Sequence, residues 1–393
     1  VLGGIFSSLV AMHLFSWTAE YPLLLLVALA TLKRFNGGSL RRMLAFTAVA
    51  AVALVGAFGL AHFATGGMLY GNGGSLGLIN LLLIAAALYG LVRIPAVVPA
   101  LCIAIFANTF IKTNYFHSAF TDRSFFGEVR VLDLKEQGVR NFLHGTTLHG
   151  AMRLKDVDSD KQPLPLTYYT ADGGLNGTIM AARENAGGFL PMTGIIGVGA
   201  GSLSCQMLPG EGQELVEIDP LVMKVAQDPK YFRFLSDCAK NAKVHIGDGR
   251  LVLEDSPANH FDHLIIDAYS SDSVPVHMMT TEAIGMFMTK VKAGGMLVMH
   301  LSNRHLDLQA VVAANAGKLG LKVVTGTFVP KNDAETVNMA TNSIVAVLVR
   351  NEEDFGALLK DSRWQSASAD GLTPWTDGYS NILQAMWRNY FKD

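Results

Sequence analysis

The chain has 393 residues, enough for two or three domains; half of them are hydrophobic, 16% are charged and the mean hydropathy is +0.31. That is too apolar for an ordinary soluble enzyme. The formal net charge of −2, with no Lys/Arg run or stripe, excludes a nucleic-acid partner.

Only Glu20, Lys33, Arg34, Arg41, Arg42 and Arg93 carry charge before residue 112, so an apolar, net-basic first part precedes a net-acidic remainder. Apolar runs at 1–15, 21–32, 43–63, 76–92 and 94–111 predict a transmembrane helical region over 1–112, in four to five segments. The chain opens on Val1 inside such a run and reads as a fragment of a larger membrane part. The run at 43–63 reaches the ~20 residues that span hydrocarbon, and Pro22 and Pro95 interrupt two of the others. Gly and Ala between Ala48 and Gly59 suit close helix packing in lipid. Basic residues between 33 and 42, and Arg93, face the cytoplasm by the positive-inside rule, and parity then sends the last helix outward. A ligand made inside cells argues the other way, so the expectation is a multi-pass inner-membrane protein, in contact with membrane lipid, whose later part is cytoplasmic. Cys102, Cys205 and Cys238 have neither CxxC nor metal spacing and read as small buried thiols of a reducing compartment.

Residues 113–185 form a small β-rich part. Phe126 to Leu134 alternates, and Val139 to Leu143 and Ala151 to Leu154 follow across turn signals, which predicts antiparallel hairpins. A helix ending near Arg183 leads into residues 186–393, where strands at 193–198, 214–218, 243–246, 262–267 and 294–300 alternate with helices such as 220–226 and 281–291. Runs at 321–328 and 343–349 are expected to pair antiparallel at the sheet edge. The fold class is therefore α/β: a doubly wound, mainly parallel, Rossmann-like sheet preceded by a small antiparallel region and a transmembrane helical region.

Four strand ends carry chemistry to one edge of that sheet. The first runs into Gly197, Gly199 and Gly201, where backbone can approach a ligand closely, and the second ends at Glu217, which can accept from ribose hydroxyls. The third ends at Gly247-Asp248-Gly249, where Asp248 could receive an adenine amine, and the fourth at Asp267. Each has a bland alternative: Asp219 before Pro220 and Asp267 can be helix caps, and Gly247 to Gly249 a plain turn. The third glycine comes one residue early for a pyrophosphate loop and no Lys or Arg flanks it. A ligand without phosphates, S-adenosylmethionine or its decarboxylated relative, fits better than NAD. No metal is expected.

The order of glycine loop, Val216-Glu217-Ile218-Asp219, Gly247-Asp248-Gly249 and an Asp-x-x-Ser-Ser-Asp run from Asp267 to Asp272 resembles the spermidine synthase (aminopropyltransferase) family. Leu143 to Gly150, Pro165 to Tyr169 and Pro374 to Asn381 resemble its membrane-fused bacterial branch. The resemblance implies a class I S-adenosylmethionine-type sheet and a membrane-anchored aminopropyltransferase, with decarboxylated S-adenosylmethionine as donor and a polyamine or other amine as acceptor. It implies Asp267 as the base that takes the amine's proton, Glu217 on the ribose, and Asp248 with Gly249 on the adenine. His149, Tyr168, Tyr169, Asp272, Asp377 and Tyr379 would lie on the acceptor side, as would His144, with packing of the β-hairpin region the alternative for both histidines and both tyrosines, and His277 open to the same two readings. A homodimer is a further implication. The sequence departs from the family at Ala200, where the soluble enzymes place an aspartate for the donor's ammonium. That leaves two alternatives: an S-adenosylmethionine-dependent methyltransferase or alkyltransferase of the same fold, or a non-catalytic accessory subunit among other membrane-complex subunits.

Overall fold

The computed structural model describes residues 118–268, 275–303, 305–330 and 339–391, together with 10–16 and isolated positions 3, 6 and 24. Nearly all of the expected 1–112 helical region, and the run from Tyr269 to Val274 that holds Asp272, lie outside the described residues. The chain divides into two compact units, Val1–Thr121 and Asp122–Asp393. Among the described residues no helix is long and apolar enough to cross a membrane. The multi-pass inner-membrane placement is corrected accordingly: no described helix supports it.

Four strands, β1 (Ser118–Ser124), β2 (Gly127–Leu134), β3 (Val139–His144) and β4 (Thr147–Arg153), form a sheet in that order. β2, β3 and β4 pair antiparallel, with a register shift between Asn141 and Leu143. The alternation from Phe126 to Leu134 foretold β2, whereas the polar β1 gave no such signal. β4 starts at Thr147, four residues before the expected run, so His149 is a strand residue.

Helix α1 (Gly174–Asn185) leads into an eight-stranded sheet of β5 (Met192–Ile196), β6 (Gly212–Glu217), β7 (Lys243–Ile246), β8 (Phe261–Ile266), β9 (Val291–His300), β10 (Lys322–Phe328), β11 (Ser343–Val349) and β12 (Trp364–Ser366). Their order is β12-β10-β11-β9-β8-β5-β6-β7. β5 to β9 pair parallel, and β10, β11 and β12 are joined antiparallel. The expected β10–β11 pairing forms, but β11 is inserted between β9 and β10 and β12 takes the edge. The central strands are covered on both faces. Ile196, Val216, Leu264, Ile266, Leu297 and Met299 belong to one core. Their neighbours Ile195, Leu215, Ile265, Met296 and Val298 belong to the other, as the period-two geometry of a strand requires.

Helices return the chain between strands, and polar caps set where they start. Asp219 accepts from Leu221 N–H at the start of α2 (Pro220–Gln227), with Pro220 at the first turn. After α3 (Phe234–Cys238), Asp248 accepts from Arg250 and Leu251 N–H at the start of α4 (Gly249–Asp255). Thr280 caps α5 (Thr281–Lys290) and Asp307 caps α6 (Leu308–Lys318); α7 (Ile382–Phe391) closes the described chain. Strand order reverses at β5, with β6 and β7 on one side and β8 and β9 on the other. A crevice therefore opens there, at the strands' carboxyl ends.

Cys205, in the turn after the glycine loop, is disulfide-bonded to Cys238 at the end of α3, with Cα atoms 5.0 Å apart. The expectation of separate reduced thiols is thereby corrected. A spacing of 33 residues carries no pairing signal, and only the packing of α3 on that turn brings the two together.

Candidate active site

The crevice is a half-open cleft with about 830 Å³ of empty space, counting its open mouth. Gly197, at the end of β5, has φ +91°, and a Cβ there would lie 2.2 Å from the Asp267 carbonyl oxygen. Gly199 has φ +55°, and a Cβ there would lie 2.5 Å from the His149 carbonyl oxygen. That oxygen also accepts the Ala200 N–H at 3.1 Å. The loop is thus wedged between the tip of β8 and strand β4, and only glycine permits both approaches.

Glu217, buried at the tip of β6, accepts the Val198 N–H at Oε2 and the Asp219 N–H at Oε1, each at 3.0 Å. Burial pushes its carboxyl above the usual range, and the two N–H donors oppose that shift. Asp219 caps α2, as its alternative reading held, and also accepts the Ser124 hydroxyl at 2.5 Å. Asp248 spends one oxygen on the start of α4 and holds the other 3.2 Å from His277 Nε2.

Asp267 follows β8 and is buried. It caps no described helix. Its Oδ2 accepts the Tyr169 hydroxyl at 2.7 Å and its Oδ1 meets His300 Nδ1 at 2.7 Å. Burial, and next the Asp267 charge, raise the Tyr169 phenol well above its ordinary value, so it stays a donor. His300 Nε2 lies 2.7 Å from Ser302 Oγ, which accepts the Ile344 N–H. The Tyr168 hydroxyl, 3.1 Å away, donates to the Tyr169 oxygen, whose own proton is committed to Asp267, and the Tyr168 ring lies 4.6 Å from that of His300.

Gly197, Gly199, Glu217, Asp248, Gly249, Asp267, His149 and Tyr169 line the cleft together, as do His144 and His277. Burial lowers the His144 pKa, which keeps that imidazole neutral. Gly201 turns away toward Leu235, and Tyr168 stands behind Tyr169. Asp377 is held outside the cleft lining by Arg250, at 2.7 and 2.6 Å, and by the Thr280 hydroxyl. Tyr379, nearly half exposed, pairs with Thr376 and also lies outside that lining. Sequence reasoning passed over His300, although the strand expected at 294–300 ends on it at the same sheet edge. It also passed over Phe126 and Phe142, aromatic residues of the β2–β3 region that line the cleft.

The lining fits an adenosine-type ligand: a glycine turn that admits close approach, and carboxylates at three strand tips. No Lys or Arg stands among the described lining residues, so a phosphate would find no cation there.

No protein-family model matches the chain. A polyamine aminopropyltransferase of Vibrio vulnificus is 31% identical over 109 residues, 26% of this chain and 35% of that protein. Over that segment the chain is similar to the spermidine synthase-like family. The eEF1A lysine and N-terminal methyltransferase of Xenopus laevis is 31% identical over 184 residues, 43% of this chain and 24% of that protein. The chain therefore spans about a third or less of the length of the curated relatives it matches. Among solved structures, a probable spermidine synthase from Corynebacterium glutamicum has a TM-score of 0.44 at 14% identity, covering 67% of this chain and 96% of that one. The spermidine synthase of Thermotoga maritima has 0.44 at 15%, covering 69% and 84%. The likeness to the aminopropyltransferase does not single out the membrane-fused branch.

Proposed function

We propose that this spermidine synthase-like chain transfers an aminopropyl group from decarboxylated S-adenosylmethionine to a polyamine amine, releasing 5′-methylthioadenosine. The observation that carries the reading is the convergence of Glu217, Asp248 and Asp267 on one cleft beside Gly197 and Gly199. Glu217 would accept from the ribose hydroxyls, and Asp248 from the adenine amine. Asp267 would take the proton of the attacking ammonium, because an amine becomes a nucleophile only once deprotonated. The nitrogen lone pair then forms the new N–C bond while the C–S electrons return to sulfur, turning the sulfonium into a neutral thioether. The sulfonium is already a good leaving group, so the displacement calls for no metal.

A second reading, methyl or other alkyl transfer from S-adenosylmethionine itself, is favoured by Ala200. Ala200 is fully buried, its Cβ faces the Gly150 backbone, and it stands where the resemblance would call for an aspartate. A donor's ammonium would find no carboxylate at that position. A third reading is a non-catalytic accessory subunit.

Incubation of the purified chain with putrescine and each donor in turn distinguishes these readings. The expected product is 5′-methylthioadenosine from the decarboxylated donor, lost in Asp267→Asn. S-adenosylhomocysteine as product would instead establish the second reading. Absence of product together with absence of donor binding would leave the third.

A further inference from the structure

Asp267 is held differently from every other carboxylate of the cleft: its two described side-chain hydrogen bonds both come from side chains of other segments. The reason lies in the register. β8 and β9 pair in parallel with Ile266 opposite Met299, so the next residues, Asp267 and His300, arrive side by side at the same edge. On its other side β9 pairs with β11, with His300 opposite Val345, which brings Ile344 within reach of Ser302.

The proton positions follow from the partners. An ionised Asp267 can only accept, so the His300 nitrogen at 2.7 Å, Nδ1, must carry the ring proton. In the neutral ring Nε2 is then an acceptor, and the Ser302 hydroxyl donates to it while its oxygen accepts the Ile344 N–H at 2.9 Å. This assignment satisfies both ring nitrogens, and the opposite tautomer would set a lone pair against the carboxylate. The order Ser302, His300, Asp267 is therefore fixed from backbone to carboxylate. Oδ1 is committed to His300. Oδ2 is shared with Tyr169, whose ring lines the cleft, and its second lone pair is the one left for a substrate N–H.

We propose that His300 is a positioning residue for Asp267, held in its Nδ1–H tautomer by Ser302, and that it presents Oδ2 to the attacking amine. The proposal rests on the transferase reading for its kinetic consequence but not for its tautomer. A neutral donor at Oδ1 orients the carboxylate without neutralising it, which a base needs. The comparable arrangement in other enzymes shows that the wrong tautomer alone can be costly.

The test pairs kinetics with ¹⁵N NMR of the imidazoles. His300→Leu is expected to lower kcat by about 100-fold, with the KM for donor unchanged within about twofold because the nucleoside side is untouched. His300→Asn, whose amide nitrogen falls near the place of Nδ1, is expected to recover to within about tenfold of the parent. Equal losses in Leu and Asn variants would overturn the positioning role. The wild-type ¹⁵N spectrum is expected to show His300 protonated at Nδ1, and Asp267→Asn and Ser302→Ala each to disturb that population. An Nε2–H tautomer, or shifts indifferent to both substitutions, would also overturn it. Because the spectrum needs neither donor nor turnover, a chain that proves inactive with every donor would sink the transferase reading while leaving the His300 tautomer to be decided.

Discussion

The two ends of the cleft differ in whether backbone N–H groups help to hold their carboxylates. On the β6 and β7 side, Glu217, Asp219 and Asp248 accept backbone N–H groups from the loop or helix that lies beside each strand tip. On the β8 side, Asp267 is held by Tyr169 and His300, from segments about 100 and 33 residues away. Backbone donors are fixed once the fold forms and do not ionise at ordinary pH. They suit a surface that only binds. Hydroxyl and imidazole donors can be repositioned and are sensitive to substitution, which suits the end where a proton must move.

Breaking the β8 end has the largest expected effect. Asp267→Asn should cut turnover by about 10³-fold or more while nucleoside affinity, read by calorimetry, stays within a few-fold. A parallel fall in affinity would erase the distinction between the two ends.

The same strand supplies a pH control that lies away from the cleft. Burial pushes His263 down to about 3; its Nε2 lies 3.2 Å from Thr178 Oγ1, which itself donates to Leu175 O. The folded pKa lies below the unfolded one, so the neutral ring's stability is complete above about 6.5 and is lost as pH falls toward 3. Denaturant unfolding should weaken over that window by on the order of 4 kcal/mol, and His263→Leu should flatten the slope.

The clamp behind the glycine loop comes next. Replacing Cys205 and Cys238 by Ala should cost about 4 kcal/mol of stability, from the 33-residue separation they close. Thermal unfolding with and without reductant measures it, and a reductant effect in the double variant would show another origin.

At the binding end, Glu217→Ala strands the Val198 and Asp219 N–H groups and is expected to cost about 1–3 kcal/mol in stability along with nucleoside affinity. Retained affinity would remove Glu217 from the ribose role.

The smallest effect belongs to Asp377. Its carboxyl is held down to about 2, chiefly by hydrogen bonds from Arg250 and then from Thr280. Because its folded pKa is depressed, the pair stabilises above about 3.8 and is lost as pH falls through about 2. Asp377 is nearly half exposed, so solvent screening keeps the contribution below about 1 kcal/mol. Asp377→Asn should therefore shift acid unfolding only slightly, without changing nucleoside affinity. A large loss of affinity would draw this residue back into the cleft.

Much of the cleft was legible because its parts are local. A strand, its glycine turn or carboxylate and the following helix start lie within a few residues, so Gly197, Gly199, Glu217, Asp248 and Asp267 could be read in order. Hydrophobic runs at 193–198 and 262–267 likewise located β5 and β8 to within a residue or two. Local reading failed where a partner comes from far along the chain. Asp377 looked like an acceptor ligand beside Trp375, yet Arg250, 127 residues away, claims it. Cys205 and Cys238 looked unrelated until α3 packed on the loop.

The sequence by itself determined which residues stand at strand tips and that the glycine turn and carboxylates share one sheet edge, since periodicity, caps and glycine turns act over a few residues. Only the tertiary structure decided how those tips are partnered. β11 inserted beside β9, the register of β8 on β9, and the approach of β4 to the glycine loop depend on pairings between distant segments. Those pairings set His300 against Asp267, because the cost of closing such loops is recovered only by contacts that no short window contains.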